Sequence, residues 1–370
     1  MTNYFVAILL LTPFAAFFRD GIMLVAVFAV CSFFLFVLPS TGYDYDYYKQ
    51  AFDNAYVTLS YPWFSTDSII TAEPFYIWYT AAVSVLTPLP FQGFLVLNFI
   101  FCGVLSFFAF RKLKVISLDL FWISFLPVVV PTLFYFSPRS SISLFWVLLG
   151  FMLLVRRKVL FALPCLFLGI SIHSQYILIT TFTVVAYLVY AYSYKFNDSI
   201  RKKLGLALIF MAGLSLLGVQ QLMGVLSSAL GVLPSAEVAV SKLHYLESAR
   251  SGYRLTAILS IIVYTAMMYL IFVRKKKLCF SFFDNRELDE TFVHMLALVI
   301  IFGAMINIVF IGESHLAGRL SRFSDYIGMG VVLPTFFVIY LGRVATVFIL
   351  WALVWLAPLM YSTVYGVGVS

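Results

Sequence analysis

The chain has 370 residues, 63% of them hydrophobic and only 11% charged, with a mean hydropathy of +1.02. That excludes a soluble domain, which needs far more polar surface. Apolar runs near the roughly 20 residues that cross a bilayer recur from end to end, so the fold class is all-α, a polytopic helical membrane protein. The net charge of +8 lies in short clusters between those runs, where it orders topology rather than binding nucleic acid.

From the start, residues 1–18 lack a basic leader segment and run straight into a second apolar run, which predicts a membrane helix rather than a cleaved signal. Basic clusters follow at Arg19, 111–114, 156–158, Lys195 with 201–203, 274–277 and Arg343. Such loops stay cytoplasmic. Alternation between them predicts spans at 4–18, 21–38, 91–110, 116–136, 140–155, 159–172, 174–193, 204–225, 254–273, 292–311, 326–341 and 344–361. Residues 1–370 then form a single integral membrane domain of twelve crossings with both termini outside, and seventeen of the 24 Lys and Arg residues face the cytoplasm. Residues 74–88 are apolar too, but a crossing there would invert every later basic loop. The expectation is a re-entrant or surface helix that ends at the TPLP break, 87–90. Two long external loops remain, 39–90 and 226–253. The cysteines Cys31, Cys102, Cys165 and Cys279 share no loop and no metal-type spacing, so neither disulfides nor zinc is expected.

The first external loop begins with GYDYDYYKQAF, 42–52. As a helix it places Tyr45, Tyr48, Phe52 and Tyr56 on one face and Asp46, Lys49 and Asp53 on another. Tyrosines at headgroup depth account for an interfacial helix. They do not account for Asp44 and Asp46, since carboxylates gain nothing at an anionic surface.

Other unusual polar residues fall on the same side. Glu73 opens EPFY, Arg139 lies in SPRSS, His173 in IHSQY, and Arg319 and Arg322 in GRLSRFSDY. Each has a plain structural alternative: His173 as a backbone-bonded turn histidine, Glu73 before Pro74 as a helix N-terminal carboxylate. Arg139 is harder to explain away, because a guanidinium with little loop around it costs several kcal/mol near hydrocarbon unless paired. Arg139, Arg254 and Arg322 each precede or begin a helix that runs inward. Helix N-termini with bidentate guanidinium groups suit a phosphate or diphosphate. Carboxylates and tyrosines such as Tyr47 and Tyr326 suit sugar hydroxyls and ring faces.

DYDYY, EPFY, SPRSSIS, IHSQ and RLSRFSDY, in that order over about residues 42–335, resemble the Wzy/EpsG family of bacterial O-antigen and exopolysaccharide polymerases. Phe75 stands where that family usually has glycine, and SPRSS where it more often has an IRQ-like motif. The resemblance implies a glycosyltransferase-C-like fold in the bacterial inner membrane, with its active site facing outward. It implies inverting transfer of a growing glycan from undecaprenyl diphosphate to a lipid-linked acceptor repeat unit, without cofactor or metal. The expected partners are those two lipid-linked glycans, membrane lipids and a chain-length regulator protein. Arg139, Arg319, Arg322 and Arg254 would meet leaving-group charge, with Asp44, Tyr47 and Tyr326 as further substrate contacts. Glu73, Asp46 and His173 are the candidate catalytic acids and bases, Glu73 favoured. A transporter or flippase of an anionic or lipid-linked solute is the alternative; it lacks an apparent inverted repeat and midplane acids. An acyltransferase would need a His–acid pair facing the cytoplasm, where only His294 lies close.

Overall fold

The computed structural model of the chain describes residues 22–37, 43–54, 74–87, 89–114, 118–129, 137–192, 262–271, 282–284, 286–309 and 318–365, with residues 10 and 13. Every regular element among them is helical. The expected span 4–18, apart from residues 10 and 13, the span 204–225, the first part of 254–273 and the loop 226–253 lie outside the described residues, as do Tyr56, Glu73 and Arg254.

In chain order the helices are α1 (Ile22–Val37), α2 (Tyr43–Asp53), α3 (Pro74–Leu86), α4 (Phe91–Phe110), α5 (Leu118–Val129), α6 (Pro138–Val155), α7 (Val159–Ile172), α8 (Ile177–Tyr192), α9 (Ile262–Ile271), α10 (Arg286–Val309), α11 (Arg322–Ile327) and α12 (Leu333–Tyr365). Among the described residues, four stretches are long and apolar enough to cross a membrane: Phe91–Phe110, Pro138–Val155, Glu287–Asn307 and Arg322–Leu353. That supports a helical membrane protein; several of the twelve crossings expected fall wholly or partly outside the described residues, so these four do not set the count. Length sets α7 apart from these four. The 14 residues of α7 extend only about 21 Å at about 1.5 Å each, short of a hydrocarbon core about 30 Å thick. The expected non-crossing segment is α3, a 13-residue helix that begins at Pro74.

The chain divides into two compact units. The first comprises Met1–Tyr176, Met267–Asp289 and Tyr326–Ser370; the second comprises Ile177–Ala266 and Glu290–Asp325.

Within the first unit, α6 packs between α7 and α4. The α6–α7 contact is close because its residues are small. A Cβ on Gly169 would lie 2.6 Å from Val147 and 3.2 Å from the Ser143 carbonyl, and Ser143 Oγ donates to the Gly169 carbonyl at 2.5 Å. Small residues let apolar helices approach where lipid offers no hydrophobic drive. On the other side of α6 lies an aromatic core. Trp122 stacks on Phe145 at 5.3 Å, and its indole Nε1 donates to Ser106 Oγ at 3.0 Å. Tyr326 meets Phe125 edge-on at 5.4 Å. The π-helical turn Gly328–Val332 follows, and Gly330 admits the Phe121 ring where a Cβ would lie 2.6 Å from it. Gly342 breaks α12 with φ +81 and ψ 169, a region essentially reserved for glycine. The break falls between the expected spans 326–341 and 344–361.

In the second unit, Phe182 of α8 stacks on Phe302 of α10 at 4.4 Å. Ser324 is pressed onto Gly303, and its Oγ donates to the Val299 carbonyl at 2.8 Å. This fastens the segment carrying Arg322 to α10.

Candidate functional site

Tracing α6 from one end to the other separates two kinds of polar chemistry. At its C-terminus, Arg156 donates to the carbonyls of Phe108 at 2.9 Å and Ala109 at 2.5 Å. These are among the last carbonyls of α4, which have no partner inside their own helix. Burial, with Arg111 beside it, lowers the Arg156 guanidinium to about 10. Around it Arg157 pairs with Glu287, Lys114 pairs with Asp284, and Asp289 accepts from the Phe282 amide. Arg343 pairs at 2.5 Å with Asp119, whose side chain is 1% exposed. This basic end is held by ion pairs and caps.

The N-terminus of α6 carries SPRSS. Ser137 Oγ donates to Ser140 Oγ at 2.8 Å, and Pro138 occupies the first turn, where a missing N–H costs nothing. The Ser174–Tyr176 turn after α7 folds onto this serine. Gln175 Nε2 donates to Ser140 Oγ at 3.4 Å, and Tyr176 Oη donates to the Ser140 carbonyl at 3.3 Å. His173 ends α7 in extended conformation, and its amide donates to the Gly169 carbonyl at 3.1 Å. Its buried ring lies edge-on to Tyr176 at 6.1 Å. The motifs SPRSS and IHSQY, far apart in sequence, are therefore one knot.

Arg139 links that knot to the tyrosine segment. Its Cζ lies 5.9 Å from the centre of the Tyr48 ring, and Tyr48 meets Tyr76 edge-on at 5.7 Å. Helix α2 has the two faces its spacing predicts. Tyr45, Tyr48 and Phe52 are buried, whereas Asp46 and Asp53 are exposed, with Lys49 paired to Asp53 at 2.5 Å. The buried face packs on protein rings: Tyr45 on Phe91 at 5.1 Å, Phe52 on Phe94 at 5.3 Å. Tyr76 is 1% exposed, and its hydroxyl and that of Thr80 one turn on have no hydrogen bond of normal geometry among the described residues. Burial, reinforced by Tyr48, pushes the Tyr76 phenol well above its ordinary pKa, with the nearby Thr80 hydroxyl and then the Arg139 guanidinium acting against that shift.

The sequence-predicted residues are thus partly gathered. Arg139 and His173 flank one serine–tyrosine knot. Tyr47 lies beside Tyr48 at 5.3 Å, and Asp46 points to the opposite, exposed face of α2. Asp44 lies in the first turn of α2. Tyr326 packs on Phe125. Arg319 and Arg322 belong to the second unit, beside a Ser321 that donates to Asp325 at 2.9 Å. Reading by motif singled out neither Tyr48 and Tyr76 nor Ser140 and Gln175. The first two were legible as members of a helical face and of EPFY, the others only as letters within their motifs.

These elements define an all-helical membrane protein with one salt-bridged end and one end built of tyrosines, serines and an arginine. The sequence model of the EpsG family matches residues 5–368, and the chain belongs to that family. The EpsG family is associated with polysaccharide polymerisation. No curated protein and no solved structure matches the chain.

Proposed function

We propose that the protein polymerises lipid-linked oligosaccharide repeat units. The growing glycan leaves its undecaprenyl diphosphate and passes to a hydroxyl of a lipid-linked acceptor repeat unit. A bond forms between the acceptor oxygen and the anomeric carbon with inversion, the anomeric carbon–phosphate oxygen bond breaks, and the acceptor proton passes to a carboxylate or imidazole. Glu73 is the favoured base, with Asp46 and His173 as the other candidates. Arg139 stabilises charge developing on the diphosphate, together with Arg319, Arg322 and Arg254, as preorganised electrostatics. Asp44, Tyr47 and Tyr326 contact sugar.

The observation that carries this reading is the position of Arg139. It lies in the first turn of α6, at the helix end where the macrodipole is positive and disfavours a cation. A guanidinium and helix amides at one place suit an anion with several oxygens. The reading includes twelve crossings in the inner membrane, a glycosyltransferase-C-like arrangement, the tyrosine-rich end facing outward, and a chain-length regulator as partner.

The test is reconstitution of the purified protein in liposomes with a diphosphate-linked lipid bearing one repeat unit. A ladder of longer lipid-linked glycans is expected. Movement of the lipid-linked unit across the bilayer without elongation would instead establish the transporter reading.

A further inference from the structure

Helix α6 is covered by protein on nearly every side. Of its 18 residues, Pro138–Val155, all are buried except Arg139, Trp146 and Leu153. These three fall seven residues, or about two turns, apart, so they share one line along the helix. Packing accounts for the rest of its surface. A Cβ on Gly150 would lie 2.6 Å from Leu166 of α7, and Phe145 stacks on Trp122 of α5 at 5.3 Å. What stays open is a narrow line about 21 Å long at about 1.5 Å per residue, with a guanidinium at its head and apolar side chains after it.

Helices α4 and α7 flank α6, so this line is the floor of a furrow between them. The α4 wall is apolar. Phe101 meets Trp146 at 5.8 Å, and Val104 and Phe108, about one and two turns further on, are 46% and 43% exposed. Polar groups close the far end: Arg156 donates to the Phe108 and Ala109 carbonyls, and the Arg111 guanidinium lies 5.3 Å from the centre of the Phe108 ring. A face that only meets membrane lipid gains nothing by opening on an arginine, which is costly near hydrocarbon. An apolar line headed by a cation is complementary to an anion that carries a long hydrocarbon tail.

We propose that the furrow along α6 seats the polyprenyl tail of the diphosphate-linked substrate, with the diphosphate at Arg139, early isoprene units against Trp146 and Phe101, and later ones at Leu153. Arg139 enters here as the diphosphate contact of the polymerase reading, on which the tail path rests. The indole of Trp146 supplies a large, rigid apolar surface at the midpoint of the line. A tail laid along a helix fixed on its other sides sets the direction from which the diphosphate reaches Arg139. Contact with a part of the substrate that does not react thereby helps to orient the part that does.

Tail length provides the test. One repeat unit is supplied on geranyl, geranylgeranyl or undecaprenyl diphosphate to the full-length protein in liposomes. For the unaltered protein, KM should fall as the tail lengthens. Trp146→Ala should cut the advantage of geranylgeranyl over geranyl by about tenfold, the scale on which an apolar site senses missing hydrocarbon contact. Leu153→Ser, further along the line, should cut the added advantage of undecaprenyl over geranylgeranyl by about as much. Each comparison is between substrates on one protein, so a general loss of fold cancels. Equal loss on all three tails, or none on any, overturns the proposal.

Binding is read separately, by placing photoreactive benzoylphenylalanine at position 153 or, as a control, at position 348, where Phe348 is exposed on α12. Radiolabelled undecaprenyl diphosphate should couple at 153 on irradiation and be displaced by the unlabelled lipid better than by geranyl diphosphate. Equal coupling at both positions overturns the proposal. Displaceable coupling at 153 in a protein that never elongates would refute the polymerase reading and keep the tail path. Elongation whose tail preference is the same in the unaltered protein and both variants would refute the tail path alone.

Discussion

One helix presents both of its ends to polar chemistry, and the two ends differ. At the C-terminus of α6, Arg156 caps the carbonyls of α4 and sits among ion pairs that join Arg157 to Glu287 and Lys114 to Asp284. A cation there has helix carbonyls to meet and the negative end of the dipole in its favour. Arg139 at the N-terminus has the opposite setting, with the positive end of the dipole beneath it and a tyrosine ring beside it. The two arginines of one helix therefore sit in opposite settings: Arg156 caps carbonyls at the negative end of the dipole, and Arg139 lies at the positive end beside a tyrosine ring. Chemistry that strains a local rule is best sought where structural logic fails to explain the residue.

The sharpest way to break this comparison is to truncate both arginines. Arg139→Ala should lower elongation by about 100-fold or more, in the range seen when one preorganised donor to a developing anion is removed. Its folding should be near normal. Arg156→Ala should do the reverse: turnover per folded molecule stays level while stability falls by about 1–3 kcal/mol, because the Phe108 and Ala109 carbonyls lose their partner. Elongation rate and melting temperature, measured on both proteins, decide it. Equal loss of stability in the two would make Arg139 another cap.

A second variant sharpens the account of the salt-bridged end. Asp119 is almost fully buried against Arg343, which keeps 23% of its side chain exposed. Asp119→Asn removes the charge and leaves the guanidinium facing a neutral amide. Breaking a fully buried pair costs about 3–5 kcal/mol, and partial exposure of Arg343 reduces that to about 2 kcal/mol. Denaturation in detergent should show the loss, with elongation by the surviving folded protein unchanged. An unchanged transition midpoint would mean that this end is held by packing rather than by charge.

How much of this arrangement was legible in the sequence depends on which physical signal each feature leaves. The two faces of α2 follow from i, i+3/i+4 spacing, and Tyr45, Tyr48 and Phe52 do share the buried face. Spacing shows which residues share a face but not what covers it. The headgroup setting expected for these tyrosines is occupied instead by Phe91 and Phe94, far along the chain. The break at Gly342 could be placed because a charged residue and a glycine interrupt two apolar runs. The π turn at Gly328–Val332 left no such mark, since one extra residue in a turn barely alters an apolar pattern. The pairing of Arg139 with Tyr48 was illegible for the same reason as most tertiary contacts: neither motif specifies its partner. Family resemblance supplied the class of chemistry, and packing supplied which tyrosine meets the arginine.

The smallest expected effect concerns Asp46, which also gives the cleanest contrast with Asp119. Both are aspartates near a helix start, but Asp119 is buried in an ion pair and Asp46 lies on the exposed face of α2. An exposed carboxylate contributes little to folding, so Asp46→Asn should leave the melting temperature unchanged within about 0.5 kcal/mol of stability. Any effect on elongation must then come from contact with substrate. If that face borders a glycan cleft, the lost charge-assisted hydrogen bond is worth about 1.5 kcal/mol, or about tenfold in rate. In cells this would appear as lipid-linked single repeat units accumulating at normal protein level. The buried face of α2 would then pack on protein while the exposed face meets sugar. Polymer of normal amount and length from Asp46→Asn would confine the function of α2 to its tyrosines, leaving Glu73 and His173 as the candidate bases.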